Sequence, residues 1–547
     1  MSILKNPAII ICMILPMITA RQSSAQTGDT TIRISLEEYK VISTMRLVND
    51  LYIEKMDTDK LADLSIKGIT DHLDPHTQYL GNNCSEKPIN TPPQIGLGMV
   101  CRSYGDTLTA VSVDPGGPAY RAGIRPGYRI AYIGNIKVAD RVMTNGDIRK
   151  MMETLPGDSI QISYFSGKAN STKTVTSAID TTNNGGVSGH YSPNDSTIYV
   201  KISFFNKYTA PIFENTIKKY PKKKRRNIIL DLRNNPGGMW KASSEISNHF
   251  FGNNYMITKA VGYNFQDTTI FSDSEGMLQN SRLYILINEN TGSASEVIAG
   301  CVQDWDRGVI IGRRSYGKGL IQQIMKLKTG EKIAITRARL ITPAGRCVQR
   351  EYRQYSREDY MSEPMSRKLS GENISESKMR ITLADLPLKP TCTRHRMVHS
   401  GAGIVPDIFV AEDTTSAPEF WTMWIKSGLV QDFCYQYVYK NINRLNKNKT
   451  NYHSIESGQL TGELIDSLEA YSRTDKRGIQ APGNLREIIN SQPEQQAATI
   501  KSQLNAGFAK AYLGPNEALR IINNTDADYQ KALYMIRHPD EYYKTLQ

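Results

Sequence analysis

The sequence has few of the residues that build metal and redox centres. Only 7 cysteines and 8 histidines occur among 547 residues, and they show neither tight metal-ligand spacing nor the HExxH pattern of zinc peptidases. No metal site is therefore predicted. The cysteines beyond residue 25 are even in number, which permits disulfides in an oxidising compartment without specifying any, and buried free thiols are the simpler expectation. They are Cys84, Cys101, Cys301, Cys347, Cys392 and Cys434.

A long hydrophobic run is also lacking. Lys5 precedes an apolar stretch at residues 8–19, which is short for a permanent membrane span. Small residues at Ala20 and Ala25 offer cleavage sites, so residues 1–25 are predicted to be a secretory signal peptide. The protein is then periplasmic or secreted, and membrane-associated in the alternative case of an uncleaved signal.

The formal net charge of +13 has its densest source in a basic run at residues 218–226. That run closes a predicted helix just before the apolar segment at 228–232, where cations favour the helix C-terminus and stay solvated. It also lacks the aromatic side chains on which single-stranded nucleic acids stack. Nucleic acid is therefore not predicted as a partner.

Apolar segments alternate with helical segments along the middle of the chain, which predicts an α/β core. Strands are predicted at residues 199–204, 228–232, 283–287 and 308–312, and helices at 211–219, 240–250 and 293–305. Two more helices are predicted at 36–53 and 58–72. The chain is long enough for several domains.

Residues 288–323 place a serine at a predicted helix start and a lysine at the exit of the next strand. Thr291-Gly292 ends the strand, and small and apolar residues then recur at helical spacing, so Ser293 lies at a helix N-terminus. Backbone N–H groups there can stabilise an oxyanion. Lys318 can act as a base near neutral pH only if burial or cationic neighbours lower its pKa.

Structural interpretations compete for the same residues. Ser293-Ala-Ser-Glu296 is also a capping box, and most single lysines are solvated surface charges. The segment from Gly312 to Gly319 matches a phosphate-binding loop, except that Gly319 replaces the hydroxyl residue that would bind magnesium. That difference disfavours a nucleotide site.

Five ordered motifs resemble those of the C-terminal processing peptidases, also called tail-specific proteases. They are IKGITDHLDPHTQYL at 66–80, IILDLRNNPGG at 228–238, the SASE, QD and YGKG block with its glutamine at 293–322, ITPAGRCVQ at 341–349 and GIVPDI at 403–408. In that family the first serine of the block is the nucleophile and the lysine twenty-five positions later is its general base. The resemblance therefore implies a Ser293 and Lys318 dyad.

The same resemblance implies supporting roles around the dyad. Gln322 would help to orient the lysine, and Asp304 matches an acidic position that is important in some members. An oxyanion hole would be formed by the N–H of Gly237 or Gly238, with the N–H of Ala294 opposite. Arg313 stands where many members carry an acidic residue, and it would help to lower the pKa of Lys318 if it lies close enough.

Residues 94–165 resemble a PDZ domain of the protease-associated type. Gly96, Leu97, Gly98 and Met99 open a strand, and an Ala-Gly-Ile-Arg-Pro-Gly turn follows at the expected distance. A PDZ domain binds a chain end by adding it as a strand to a sheet edge, so these four residues are the candidate peptide-binding site. The alternative is a small β-rich domain with glycine turns.

The resemblance implies a multidomain α/β protein. After the signal it has an N-terminal helical region (26–93), the PDZ-like β-rich domain (94–165), an α/β serine peptidase core (166–411) and a mainly helical C-terminal extension (412–547). Residues 350–402 are an insertion that could form a lid, a dimer contact or a surface excursion. The extension lies outside the family core, and assembly is the role considered for it.

The resemblance thus implies an exported serine endopeptidase that cleaves protein substrates at or near their C-termini, with no metal or cofactor. Expected partners are proteins or peptides with accessible C-terminal tails, and a regulatory adaptor and a homo-oligomer are also considered. The main alternative is a catalytically silent PDZ-type binding scaffold of the same fold. A tricorn-like or retinoid-binding relative fits less well, because the PDZ-like segment and the set Ser293, Lys318 and Gln322 are all present.

Overall fold

The computed structural model describes residues 35–81, 96–115, 117–153, 159–166, 171–178, 185–414, 417–475 and 483–547. The predicted signal peptide at 1–25 lies outside these residues. Chain contacts divide the molecule into two units, Met1–Gly68 and Ile69–Gln547. We find no helix in the described residues with the length and apolar character that a membrane span requires.

Two helices occur close to where the sequence predicts them near the N-terminus. They are α1 (Leu36–Leu51) and α2 (Thr58–Asp71), and α1 begins with a capping box in which Ser35 and Glu38 bond each other's backbone. None of the α1 side chains is buried. The boundaries differ from the prediction by one or two residues at the C-terminal ends.

Residues 96–178 form a small sheet domain. Its strands are β2 (Met99–Tyr104), β3 (Thr107–Val113), β4 (Arg129–Ile133), β5 (Ile136–Lys137), β6 (Ser159–Ser166) and β7 (Ser171–Ala178), and its helices are α3 (Pro118–Arg121) and α4 (Asn145–Glu153). The main sheet has the order β2-β3-β4-β6-β7, so β2 is an edge strand. The predicted boundary at residue 165 is too early, because β7 pairs along the whole of β6.

The core contains a six-stranded sheet of order β19-β14-β13-β10-β9-β8. Its strands are β8 (Val187–Asn194), β9 (Thr197–Ile202), β10 (Asn227–Asp231), β13 (Arg282–Ile287), β14 (Val309–Gly312) and β19 (Ile408–Phe409). All neighbours pair in parallel except β8 with β9. Helices α5 (Thr209–Lys218), α6 (Trp240–Asn248) and α7 (Ala294–Asp304) cover one face. The predicted strands and helices of the core are thus present, within about two residues at most ends.

A second sheet packs against α6 and α7 through β11 (Met256–Gly262) and carries the residues that follow Lys318. It contains β1 (Gln78–Gly81), β11, β12 (Phe265–Phe271), β15 (Leu320–Lys326) and β16 (Lys332–Ile341), with β16 pairing to β1, β11 and β15. The insertion predicted at 350–402 folds into α8 (Arg357–Ser370), a 3-10 turn (Glu372–Ile374), α9 (Glu376–Leu383) and the hairpin of β17 (Leu388–Pro390) and β18 (Met397–His399).

The C-terminal extension is helical, as predicted. Its helices are α10 (Glu419–Lys426), α11 (Leu429–Lys447), α12 (Tyr452–Glu456), α13 (Thr461–Thr474), α14 (Leu485–Asn490), α15 (Glu494–Tyr512), α16 (Pro515–Asn523), α17 (Ala527–Arg537) and α18 (Pro539–Thr545). Helices α11 and α15 pack against the small sheet domain, where the Ser112 hydroxyl donates to the Lys510 carbonyl (2.9 Å) and the rings of Tyr104 and Tyr439 stack.

The last two helices belong to the core itself. Tyr529 and Met535 of α17 and Tyr542 of α18 are buried against the face of the six-stranded sheet opposite to α5, α6 and α7. Strand residues of parallel sheets alternate between the two faces, and here Tyr199 and Tyr284 point into this second layer. Although the extension lies outside the segment that matches the family motifs, its last two helices thus form the second layer on the six-stranded sheet.

Candidate active site

Ser293 lies in the turn between β13 and α7, directly before the first residue of α7. Its backbone angles are φ 55° and ψ −115°, a conformation that is rare for non-glycine residues and costs on the order of 1–3 kcal/mol. A serine on a sharp, strained turn between a strand and a helix is typical of nucleophiles in α/β hydrolases. The predicted helix start is confirmed, and the strain adds a functional signal that the sequence did not show.

The glycine turn predicted for the oxyanion hole lies against Ser293. A methyl group on Gly237 (φ 105°) would sit 2.6 Å from the Ser293 Cβ and 2.9 Å from the Ala294 nitrogen. The N–H of Gly237 donates to the Asn235 side-chain oxygen (2.9 Å), so it is already engaged. Among the described residues, the N–H groups of Gly238 and Ala294 have no recorded acceptor. Of the two predicted glycines, Gly238 is therefore the one whose N–H makes no other hydrogen bond among the described residues.

We expect Gly237→Ala to lower any activity at Ser293 by about 100-fold, because the added methyl must displace the serine and a small misplacement of reacting atoms costs about that factor. The test is the initial rate of cleavage of an unfolded protein. Gly123→Ala is the matched control, since Gly123 has a similar φ of 97° with no atom within 4 Å of the added methyl. Equal rates for the two variants would contradict the close approach.

A buried carboxylate joins the serine segment to the lysine segment. Oε2 of Glu296 accepts the backbone N–H groups of Ser293 (2.7 Å) and Lys318 (2.8 Å). Oε1 accepts the Gly317 N–H (2.7 Å) and the Ser315 hydroxyl (2.5 Å). Burial raises the pKa of Glu296, while these hydrogen bonds oppose the rise. Glu296 therefore does more than cap α7, because it brings the two predicted catalytic residues to one side chain.

Lys318 meets the condition that the sequence set for a general base. Burial lowers its pKa below the usual value of 10.5, and the carboxylates of Asp74 and Glu296 oppose that shift. The expectation that Arg313 lowers this pKa is wrong, since Arg313 pairs with Glu289 (2.9 Å) and Asp528 (3.7 Å) and has no part in the shift. No hydrogen bond joins the Ser293 hydroxyl to the Lys318 ammonium among the described residues, so the closed dyad stays a prediction.

Gln322 reaches Lys318 only through other side chains. Its amide donates to the Thr336 hydroxyl (3.2 Å), which donates to Oδ1 of Asp74 (2.9 Å). The Asp74 carboxylate in turn favours the charged form of Lys318 and so opposes the lowering of its pKa. The predicted orienting role of Gln322 is therefore an indirect one in this structure.

A cavity of about 510 Å³ opens beside Lys318. Its lining residues are His76, Asn234, Pro236, Asn290, Gly292, Tyr316, Lys318 and Met361. The His76 Nε2 lies 3.3 Å from the Tyr360 hydroxyl. Burial, with the Lys318 charge second, lowers the His76 pKa to about 3, so this imidazole is neutral at ordinary pH. A polypeptide in the cavity would meet mostly neutral groups.

Residues 196–354 match the model of peptidase family S41. The matched segment contains Gly237, Ser293 and Lys318. The resemblance to C-terminal processing peptidases is thus confirmed. The similar curated proteins include a probable CtpA-like serine protease of Staphylococcus aureus (strain N315), 26% identical over 319 residues, which cover 56% of this chain and 61% of the relative. A probable CtpA-like serine protease of Staphylococcus epidermidis is 25% identical over 341 residues, covering 61% of this chain and 67% of the relative.

The chain spans about three fifths of the length of the first curated relatives that it matches. Similar solved structures include a photosystem II D1 C-terminal processing protease, with 23% identity, a TM-score of 0.30 and coverage of 58% of this chain and 91% of the other. A putative S41 protease from Bacteroides fragilis NCTC 9343 has 14% identity, a TM-score of 0.32 and coverage of 60% and 91%. These TM-scores are too low to support any further conclusion about the chain.

The structure does not bring Asp304 to the dyad of this S41 peptidase domain. Asp304 ends α7, about 16 Å along the helix from Ser293 at the usual rise per residue. Its fully buried carboxylate pairs with Arg346 (2.5 Å) and accepts the Ala344 N–H (2.8 Å). Asp304 therefore supports the turn after β16 and does not contact the serine or lysine.

The candidate peptide-binding residues lie in the small sheet domain, whereas Ser293 lies in the core. Leu97 is buried in that domain's core, and the carbonyls of Leu97 and Gly98 accept the Ala119 and Asp114 N–H groups, both at 2.8 Å. Met99 begins the edge strand β2, whose outer side is the position that an added strand would need. Leu97 thus serves packing, and Gly98, with a φ of 64°, lies in the bend that precedes the strand.

Three contributions to the site were missed by sequence reasoning. The sequence pattern does not single out His76, although it belongs to one of the five motifs. Glu296 was recognised only as a cap, and Tyr360 and Met361 lie in the insertion, which matches no motif. The described residues hold no group of three or more potential metal-ligating side chains, and all five described cysteines are free thiols.

Proposed function

We propose that the chain is a serine endopeptidase in which Ser293 attacks the substrate and Lys318 acts as general base. The observation that carries this proposal is the Glu296 carboxylate, which bonds the backbone of both residues beside a cavity that contains the lysine. The S41 family match and the CtpA-like serine protease relatives support it.

The reaction follows from these groups. Neutral Lys318 takes the proton of the Ser293 hydroxyl as Oγ bonds to the scissile carbonyl carbon, and the N–H groups of Gly238 and Ala294 stabilise the oxyanion. The protonated lysine then donates to the leaving amine as the peptide bond breaks. Water, deprotonated by the same lysine, hydrolyses the acyl-enzyme and restores the serine. Every proton in this cycle passes through Lys318.

The surroundings of Ser293 favour a small side chain at the cleavage site. A second pocket of about 10 Å³ borders Ser293 and is lined by apolar and polar side chains of α7, β11, the end of β16 and the segment that follows β16. They include Ile257, Val297, Leu340 and Val348. A side chain of the size of alanine is the one that such a pocket would accept without displacing its walls.

The remaining parts of the proposal concern how the substrate is recognised and where the protein is located. Residues 94–178 would act as a PDZ-like domain that takes an apolar C-terminal tail as an added strand along β2, so that cleavage occurs at or near the chain end. Residues 1–25 would direct export to the periplasm or the exterior. A regulatory adaptor and a homo-oligomer are compatible with this scheme and form separate parts of the proposal.

The decisive experiment is the pH dependence of cleavage of an unfolded protein with an apolar tail, from pH 6 to 10. Because the folded pKa of Lys318 lies below 10.5, activity should rise about tenfold per pH unit below that pKa and level off before pH 10.5. His76, with its pKa near 3, stays neutral throughout and adds no step. Lys318→Met should remove the rise, whereas Lys326→Met, at an exposed position on β15, should retain it.

A catalytically silent binding scaffold is the second candidate. The observation that favours it is the lack of a recorded hydrogen bond between the Ser293 hydroxyl and the Lys318 ammonium, both of which belong to described residues. The two candidates differ in turnover, not in binding. Saturable tail binding without cleavage at any pH between 6 and 10 would favour the scaffold.

A further inference from the structure

The insertion helix α8 is bonded to the loop that carries Lys318. Arg367 of α8 is almost fully buried, and its Nη1 donates to the backbone carbonyls of Arg314 (3.1 Å) and Ser315 (3.0 Å). These carbonyls lie three and four residues before Lys318. One side chain of the insertion thus restrains two consecutive peptide groups of residues 314–318, which we call the lysine loop.

A second arginine restrains the other end of the lysine loop. The backbone N–H of Arg350 donates to the Gly317 carbonyl (3.1 Å). Its guanidinium lies over the rings of Tyr316 (4.4 Å) and Tyr360 (3.9 Å) and donates to the Tyr360 carbonyl (2.7 Å). The loop is therefore held between the chain that enters the insertion and the first turn of α8.

Glu363 connects these arginines to one another. Its carboxylate pairs with Arg350, with Nε of Arg367 (3.1 Å) and with Arg314 (3.2 Å). Arg314 also forms a two-pronged pair with the buried Glu372 (2.6 and 3.0 Å). Buried charges of this kind are stable only in one well-paired arrangement, so the cluster resists displacement of the lysine loop.

The same helix reaches the cavity directly. Tyr360 contacts His76, and its hydroxyl accepts the Gln349 amide (2.8 Å), while Met361 lines the cavity. Tyr360 is buried and belongs to the packed structure, which argues against a mobile lid, whereas Met361 is 40% exposed. These contacts also make a mere surface excursion an incomplete description of residues 350–402.

We propose that the insertion is a positioning device for the general base, in which Arg367 holds the lysine loop so that the Lys318 ammonium stays buried beside Ser293. The role of Lys318 as a base rests on the proposed function, but the restraint on its side chain does not. Arg367 touches neither substrate nor nucleophile and is a positioning residue. Its loss should change the reactivity of Lys318 more than the binding of substrate.

The test compares Arg367→Met with Arg380→Met in the full-length chain. Arg380 lies in α9 of the same insertion, and among the described residues it pairs only with the exposed Glu376 (2.6 Å), so it is the matched control. The first readout is the pH at which Lys318 reaches half of its maximal reactivity towards acetic anhydride, measured by mass spectrometry. Because burial depresses this midpoint, Arg367→Met should raise it by about one pH unit, a tenfold change in the neutral fraction.

The second readout is the kinetics of cleavage. Arg367→Met should lower kcat by about 10- to 100-fold with KM changed by less than about threefold, and guanidinium ion in the buffer should restore part of the lost rate. An unchanged midpoint and kcat in folded Arg367→Met, or a raised KM with unchanged kcat, would overturn the proposal. If the chain proves to have no peptidase activity, the labelling midpoint still decides the positioning role by itself.

If Arg367→Met does not fold, a second variant tests the positioning role of the insertion. Glu363→Gln keeps the size of the side chain and removes the shared charge that holds Arg367 and Arg350. It should raise the labelling midpoint in the same direction by a smaller amount. An unchanged midpoint in this variant would also overturn the proposal.

Discussion

Ser293→Ala is expected to lower the rate of peptide-bond hydrolysis by about 1,000-fold or more, because the Ser293 hydroxyl is the nucleophile of the proposed mechanism. The fold should be retained, since the bond from the residue 293 backbone to Glu296 uses the N–H and not the hydroxyl. Alanine also brings no larger side chain to the strained backbone. Binding of a tail peptide should therefore remain while turnover is lost.

The measurement is turnover of an unfolded protein together with the affinity for a tail peptide. Ser366→Ala, at an exposed position on α8, is the control and should behave like the unchanged protein. Cleavage by Ser293→Ala at a rate near that of the control would show that another residue is the nucleophile. Loss of both turnover and tail binding would instead indicate that the strained turn itself had collapsed.

Tyr542→Ala is expected to destabilise the protein by about 3–5 kcal/mol, the range for removing a large buried aromatic side chain. Tyr542 is 4% exposed and packs against the sheet, and its hydroxyl donates to the Arg307 carbonyl (3.2 Å) and accepts the Leu283 N–H (3.3 Å). The adjacent Tyr543 is 52% exposed. Tyr543→Ala should therefore cost no more than about 0.5 kcal/mol, as surface substitutions usually do.

The measurement is urea unfolding of both variants, followed by fluorescence and by activity. Equal losses of stability would contradict the assignment of α18 to the core. Deletion of residues 526–547 should go further and prevent folding, because it exposes one face of the six-stranded sheet. It also removes Asp526 and Asp528, which bond the buried Arg233 at 2.7 and 2.9 Å, and leaves Asp231 as the remaining carboxylate partner of that charge.

The link through Arg233 ties this distant layer to the site. Arg233 also bonds Asp231 at the end of β10, and the next residue, Asn234, lines the cavity. A loss of the C-terminal helices should therefore disturb the turn that carries Gly237 and Gly238, and it should also lower the stability of the protein. The last two helices of the extension therefore stabilise the core. This holds independently of any role that α10 to α15 have in assembly.

Local signals predicted most elements of the core. The strand β10 and the helix α7 were found within one residue of their ends, because short apolar runs bounded by glycine and polar turns specify both structures over a few residues. The serine at the start of α7 followed from the same pattern. The lysine needed the additional resemblance, since nothing in the residues next to Lys318 shows whether its side chain is buried.

Long-range contacts decided what the sequence missed. The burial of Lys318 depends on packing that brings residues 74, 296 and 318 together, and the supposed contribution of Arg313 failed because its side chain turns towards Glu289 and Asp528. The direction in which a side chain points produces no pattern in the neighbouring sequence. The same is true of a contact between residues that are far apart in the chain.

The sequence by itself determined the family, the α/β alternation and the candidate pair Ser293 and Lys318, because each depends on residues close together in the chain. Only the tertiary structure decided that Glu296 joins the pair, that His76 borders the cavity, that the insertion holds the lysine loop and that the last two helices complete the core. The physical reason is that buried charges and the faces of a sheet are satisfied by whichever segments fold against them, however far apart those segments lie in the sequence.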